Sequence, residues 1–164
     1  PLRRIAMSTD IPKTITRATL DDLAHVAQLF EQYRLFYQKT PDPIAARDFI
    51  KARLENQDSV IFLAQVDEQA AGFIQLYPAF ASTAMKKMWL LNDLFVNPGF
   101  RQQKIGSLLM AAAKQLAIET QAHSLKLITA VDNHQARALY QQLGYRKVTT
   151  FDQYTLVINE SIRD

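Results

Sequence analysis

Residues 92–110, NDLFVNPGFRQQKIGSLLM, read as the end of a strand, a turn and the start of a helix, and their types suit phosphate. A helix start presents unpaired backbone N–H groups and the positive end of the peptide dipole. Arg101 and Lys104 add positive charge there, and Gly106 lets backbone and ligand approach closely. The same residues also make an ordinary basic turn followed by a helix that contains a glycine. Just before the turn, Asn92 and Asp93 interrupt an otherwise apolar strand, WLLNDLFV. Neighbours on a regular strand point to opposite faces, so at most one of the pair enters a cleft unless a bulge intervenes.

Other phosphate chemistries are excluded by the glycines. Only Gly72, Gly99, Gly106 and Gly144 exist, and they form no G-x-G-x-x-G. A P-loop is also missing, because Lys104 stands where its second glycine would be counted from Gly99. The chain has no cysteine, which rules out thiolate nucleophiles, disulfides and Cys-ligated zinc and leans towards a reducing, cytoplasmic compartment. His25, His123 and His134 have no zinc-site spacing, so no metal is expected. The 164 residues, 48% of them hydrophobic, suit one domain over 13–164. Residues 1–12 read as a lead-in without a signal-peptide pattern. No apolar run reaches the roughly 18 residues of a membrane span. The net charge of +3 includes Arg3 and Arg4, leaving a nearly neutral body that argues against nucleic acid.

These residues need elements to position them. Lys13–Arg17 reads as a first strand, followed by a helix from Asp21 to about Tyr37 and another over about Ile44–Leu54. Ser59–Val66 and Ala70–Tyr77 make a hairpin, and Pro78–Lys87 reads as a loop. Strand Trp89–Val96, a helix over about Gln103–Thr120 and strand Ser124–Val131 form a βαβ unit with parallel strands. Helix His134–Leu143 stops at Gly144, and Tyr145–Val148 and Gln153–Ile158 read as closing strands. On the apolar face of helix His134–Leu143, Tyr140 reads as a core aromatic, and Asn133 reads as an N-cap.

From about Thr14 to Ile158 the chain resembles the GNAT superfamily of acyl-CoA-dependent N-acetyltransferases. One motif is Val96-x-Pro98 with Arg101, Lys104 and Gly106 leading into SLLMAAA. The second is Asn133, Ala136, Leu139, Tyr140, Gly144 and Tyr145 after a strand. One position departs from the pattern: Lys104 occupies the first glycine of the family loop. In the left-handed region a lysine would cost about 1–2 kcal/mol.

The resemblance implies an α/β (α+β) fold. Its sheet is mixed, twisted and mostly antiparallel, with a central parallel βαβ acyl-CoA-binding unit and helices on both faces. It implies acetyl-CoA as acyl donor, with Leu94, Phe95 and Val96 along the pantetheine and thioester. Arg101, Gln102, Gln103, Lys104, Ile105, Gly106 and Ser107 would hold the pyrophosphate, with Asn133 and Tyr140 close to the acyl-CoA. Tyr140 matches the family tyrosine that protonates the departing thiolate. Asn92 and Asp93 occupy the place of a Glu-Asp pair in polyamine acetyltransferases. Asparagine is no base, which leaves Asp93 to bind the amine or act as a water-relayed base. A base has substantial work to do: at pH 7 the neutral form of an amine with a pKa of about 10.4 costs about 4.6 kcal/mol. Tyr33, Tyr37 and Tyr77 are candidate walls for the acceptor. The expected acceptor is a small-molecule primary amine; a protein lysine or N-terminus, or a CoA-binding regulatory protein without catalysis, are the alternatives. Family analogy adds a homodimer.

Overall fold

The computed structural model describes residues 11–158; the expected lead-in therefore lies, up to residue 10, outside the described residues. The strands are β1 (Lys13–Arg17), β2 (Val60–Val66), β3 (Gln69–Ala81), β4 (Lys86–Val96) and β5 (Leu125–Leu127). They form a five-stranded sheet in the order β1-β2-β3-β4-β5. The first three pairings are antiparallel, and β4–β5 is parallel. Helices α1 (Leu23–Phe36) and α2 (Pro43–Asn56) precede β2, α3 (Ile105–Glu119) joins β4 to β5, and α4 (His134–Gln142) follows. The mixed, mostly antiparallel sheet with its parallel βαβ unit is as expected, and β5 ends it.

Alternation along the strands separates two cores, because successive side chains leave a strand on opposite faces. Val60, Ala64, Ile74 and Leu76 pack with Ile105, Leu109 and Ala113 of α3. Ile61, Leu63 and Phe73 pack with Val26 and Leu29 of α1 and Ile50 of α2. Leu109 is fully buried, so truncating it to alanine would cost about 2–5 kcal/mol. The Pro41-Asp42-Pro43 breaker also starts α2: Asp42 accepts from the Ala45 N–H at 3.0 Å, and Pro43 lies in the first turn, where a missing N–H costs nothing.

Three expectations differ from the structure. Residues 78–87 are mostly strand, with the ladder continuing from Pro78↔Trp89 to Ala81↔Lys86 and only a short turn at Ser82–Ala84. Pro78 and the small residues after it resemble a loop in sequence, but cross-strand pairing overrides that local preference. Strand Ser124–Val131 shrinks to β5, three residues long. The closing strands at Tyr145–Val148 and Gln153–Ile158 are not formed. Their alternation exists in the sequence, yet a strand also needs a hydrogen-bonding edge, and β5 presents a very short one. Phe151, Tyr154 and Leu156 are consequently exposed.

Candidate active site

The register of β3 against β4 decides where the polar pair points. Gln75 pairs with Asp93 while the next residue, Leu76, pairs with Leu91, so Asn92 is an inserted, bulged residue. Leu91 and Leu94 both pack on the α3 side although they are three apart, an odd spacing that a regular strand would send to opposite faces. The bulge thereby turns Asp93, with Phe95 after it, towards α1.

Asp93 is only 4% exposed. Its Oδ2 accepts from Gln75 Nε2 at 2.8 Å and its Oδ1 from Asn92 Nδ2 at 3.2 Å. The Oε1 of Gln75 in turn accepts from Ser59 Oγ at 2.9 Å. The Tyr33 hydroxyl of α1 also interacts with the carboxylate. Burial raises the Asp93 pKa, while the bonds from Gln75, Asn92 and Tyr33 pull it back down. Burial and the nearby Asp93 charge push Tyr33 far above the usual phenol range, and the same two causes push Tyr77 up to about 12.

At the start of α3 the backbone is strained. Gln102 and Lys104 have φ of 61° and 63°, both in the left-handed region. Lys104 thus adopts the glycine-like conformation that its position in the motif implied. Between them the Gln103 carbonyl accepts from Lys13 Nζ of β1 at 3.2 Å. The first intrahelical bond runs from Leu108 N–H to the Lys104 carbonyl at 3.1 Å, leaving the Ile105, Gly106 and Ser107 N–H groups ahead of the ladder. A Cβ on Gly106 would meet Leu139 Cδ2 at 3.5 Å and Val96 Cγ2 at 4.0 Å, which are ordinary contacts. The fold therefore does not demand glycine here; the space above the N–H groups is open to a ligand. Arg101 folds back, its Nε donating to the Val96 carbonyl at 3.3 Å and its guanidinium 5.9 Å from the centre of the Phe36 ring.

Helix α4 has a defined beginning and end. The Asn133 side chain accepts from the Ala136 N–H at 3.2 Å, the N-cap expected of it. At the other end Gly144 takes φ 88°, Gly144 N–H donates to the Gln141 carbonyl and Tyr145 N–H to the Tyr140 carbonyl. This is a Schellman stop, and it brings Tyr145 back over Tyr140 with ring centres 6.0 Å apart. Burial raises the Tyr140 pKa, with Tyr37 and Tyr145 adding to the shift, so its hydroxyl holds its proton at neutral pH.

A cleft of about 390 Å³ lies between these parts. Its walls include ten of the expected cofactor residues: Leu94, Phe95, Val96, Arg101, Gln102, Lys104, Ile105, Gly106, Ser107 and Asn133. Tyr33 and Tyr37 line it as well, with ring centres 5.0 Å apart. Gln103, Asn92, Asp93, Tyr77 and Tyr140 are not among its lining residues. Tyr33 connects the two sets, lining the cleft and lying close enough to Asp93 for each to shift the other's pKa. Tyr77 stands half-buried on β3, within the influence of the Arg53–Asp58 ion pair. Sequence reasoning missed Phe36, Phe100, Gln135, Ala136 and Leu139 on the walls, Lys13 on the loop and Gln75 behind Asp93. Ala136 and Leu139 left a signal as members of the second motif, and Gln75 as the one polar side chain in the buried run AGFIQL. Among the described residues no cluster of His, Asp and Glu could hold a metal, and no helix is long and apolar enough to cross a membrane.

The geometry fits an acyl-CoA: a groove of apolar and backbone groups leads from free N–H donors and basic side chains to Tyr33 and Tyr37, with the Asp93 carboxylate buried behind Tyr33. Comparison with known proteins agrees. The chain is 46% identical over 142 residues to the uncharacterized N-acetyltransferase YhfO of Bacillus subtilis (strain 168), covering 87% of this chain and 95% of that protein. The crystal structure of a probable acetyltransferase superposes with a TM-score of 0.85 at 41% identity, covering 90% of this chain and 99% of the other. Aminoglycoside N-acetyltransferase AAC(6')-Iy in complex with CoA shares the fold, with a TM-score of 0.77 at 19% identity over 92% of this chain and 98% of that one. Residues 24–145 match the acetyltransferase (GNAT) family; the chain belongs to that family and is an acyl-CoA-dependent N-acetyltransferase.

Proposed function

We propose that the chain transfers an acetyl group from acetyl-CoA to a primary amine of a small molecule, using Asp93 at the amine and Tyr140 at the departing sulfur. The observation that carries this reading is the Asp93 carboxylate itself. It is nearly inaccessible, it is held by neutral donors, and Tyr33 links it to the cleft. A buried carboxylate without a cationic partner attracts an ammonium strongly, since little solvent screens it.

When bound, acetyl-CoA supplies the acetyl group as an activated thioester. The open N–H groups of Ile105, Gly106 and Ser107, with Lys104 beside them, would hold its phosphates. Leu94, Phe95 and Val96 would carry the pantetheine along the edge of β4. Asp93 would draw the acceptor ammonium to the Tyr33 side of the cleft and take its proton through one water by way of Tyr33, so that a neutral nitrogen attacks. As the C–N bond forms and the C–S bond breaks, Tyr140 would give its hydroxyl proton to the departing sulfur, and the second proton of the attacking nitrogen would return to the phenolate, leaving the amide and the free thiol. Burial keeps that phenol protonated at neutral pH, so a proton is available there. The aromatic wall of Tyr33 and Tyr37 supports a small acceptor. One domain over residues 13–164, a cytoplasmic location and a homodimer complete the proposal; sedimentation equilibrium tests the dimer.

Calorimetric titration of acetyl-CoA followed by CoA-release assays across a panel of small amines tests the reading. Micromolar one-site binding with turnover of at least one small amine is expected. Binding without turnover of any small amine, but with acetylation of a lysine peptide, would replace the acceptor assignment.

A further inference from the structure

Gln75 is fully buried, at 0% exposure, in the middle of the sheet. An amide in that position costs free energy unless both of its ends are paired. Here both are: Nε2 donates to Asp93 Oδ2 at 2.8 Å, and Oε1 accepts from Ser59 Oγ at 2.9 Å. The direction of the chain is dictated by chemistry. An ionised carboxylate can only accept, so the amide must turn its NH₂ to Asp93, which leaves its carbonyl for the serine hydroxyl.

We infer that Gln75 is a positioning residue for the reaction: anchored by Ser59, its amide fixes the Asp93 carboxylate in orientation and lets it keep its charge for the acceptor ammonium. This rests on the reading of Asp93 as the amine-binding group. The bulge at Asn92 is what makes the pairing available, since it brings Asp93 to the face on which Gln75 lies, directly opposite in the ladder. An arginine or lysine in place of Gln75 would also hold the carboxylate but would cancel its charge. A glutamine supplies a donor and leaves the charge in place. The second donor to Asp93, Asn92 Nδ2 at 3.2 Å, is likewise neutral.

The titratable groups facing Asp93 are few. Tyr33 comes from α1 and Tyr77 from β3, both protonated well above neutral pH. Tyr37 and Tyr140 adjoin Tyr33, and Arg53 and Asp58 reach Tyr77 rather than the carboxylate. The acid side of the pH profile therefore reports Asp93. Loss of the Gln75 donor should move it upwards, because a bond to the charged form is removed while burial stays.

The test is Gln75→Met, which keeps the length of the side chain and removes the donor, read by carbon-detected NMR titration of the Asp93 carboxyl in the free protein. The pH profile of kcat/KM for the amine is measured in parallel. The expected result is an upward shift of about one pH unit in both, a fall of about tenfold in kcat/KM at neutral pH, and acetyl-CoA affinity unchanged. Ser59→Ala should shift both in the same direction by less, and it decides the matter by the same readout where Gln75→Met does not fold. A folded Gln75→Met protein whose Asp93 titrates as in the wild type overturns the inference. Asp93→Asn separates the two readings. Full turnover in that variant removes Asp93 from the reaction and the inference with it, whereas lost turnover with an unmoved titration in Gln75→Met removes Gln75 alone.

Discussion

The two ends of the cleft are made of different materials. The proposed donor end, residues 101–107, rests on backbone: N–H groups ahead of a helix, with Gln102 and Lys104 left-handed. The proposed acceptor end rests on side chains: Ser59, Gln75, Asn92 and Asp93 form a hydrogen-bonded chain behind Tyr33, with Gln75 and Asp93 buried. Every residue but proline carries the same N–H, so a site made of backbone should survive a change of side chain, lysine at position 104 included. A side-chain site has no such reserve, because each member orients the next and its function depends on which groups donate and which accept.

The sharpest test of this contrast is Asp93→Asn. The amine step should fall about 10²- to 10⁴-fold in kcat/KM while acetyl-CoA affinity stays the same, as measured by kinetics and calorimetry. Stability should move the other way. Burial raises the Asp93 pKa above its unfolded value, so the folded state holds its proton to higher pH than the unfolded chain does. Between the two values wild-type stability rises as pH falls, and at neutral pH the buried charge is a cost. Asp93→Asn should therefore melt higher than wild type at pH 7 and lose that advantage in acid, by thermal melts across pH.

Next in size is Tyr140→Phe. Chemistry-limited kcat should drop by about 10²-fold, at the low end of general-acid contributions, and undiminished turnover would return Tyr140 to the role of core aromatic. Gly106→Ala probes the donor end from the opposite side. The added methyl meets only ordinary contacts, so the helix should gain about 0.5–1 kcal/mol, while acetyl-CoA binds about tenfold more weakly because the methyl enters the ligand's space. Equal affinity in that variant would erase the distinction between the ends. Lys104→Gly should change least. It relieves about 1–2 kcal/mol of left-handed strain and alters acetyl-CoA affinity by less than tenfold. A hundredfold gain in affinity would mean that the lysine side chain obstructs the phosphates.

Much of this site was legible residue by residue, for reasons that can be named. Asn133, Gly144 and Tyr145 announce a helix start and stop because capping acts within a few residues. The turn from Asn97 to Gly106 is equally local. Pro98 lies within a short 3₁₀ turn, and the Asn97 side chain accepts from the Gly99 N–H at 2.9 Å. The closing strands failed as expectations because alternation specifies a strand's two faces but not its neighbour. The extent of β3 and β4 past Pro78 was hidden for the complementary reason: pairing created strand where composition resembles a loop.

By itself the sequence determined the strand-turn-helix that presents free N–H groups, the capped helix that carries Tyr140, and the mixed sheet with helices on both faces. All three rest on short-range backbone physics or on hydrophobic period. Only the tertiary structure decided that Asn92 is the bulged residue, that Asp93 consequently faces α1, that Gln75 and Ser59 stand behind it, and that Lys13 reaches the Gln103 carbonyl ninety residues away. Each of these depends on the register between distant segments. A shift of one residue there reverses the face of every side chain that follows, and no local preference records it.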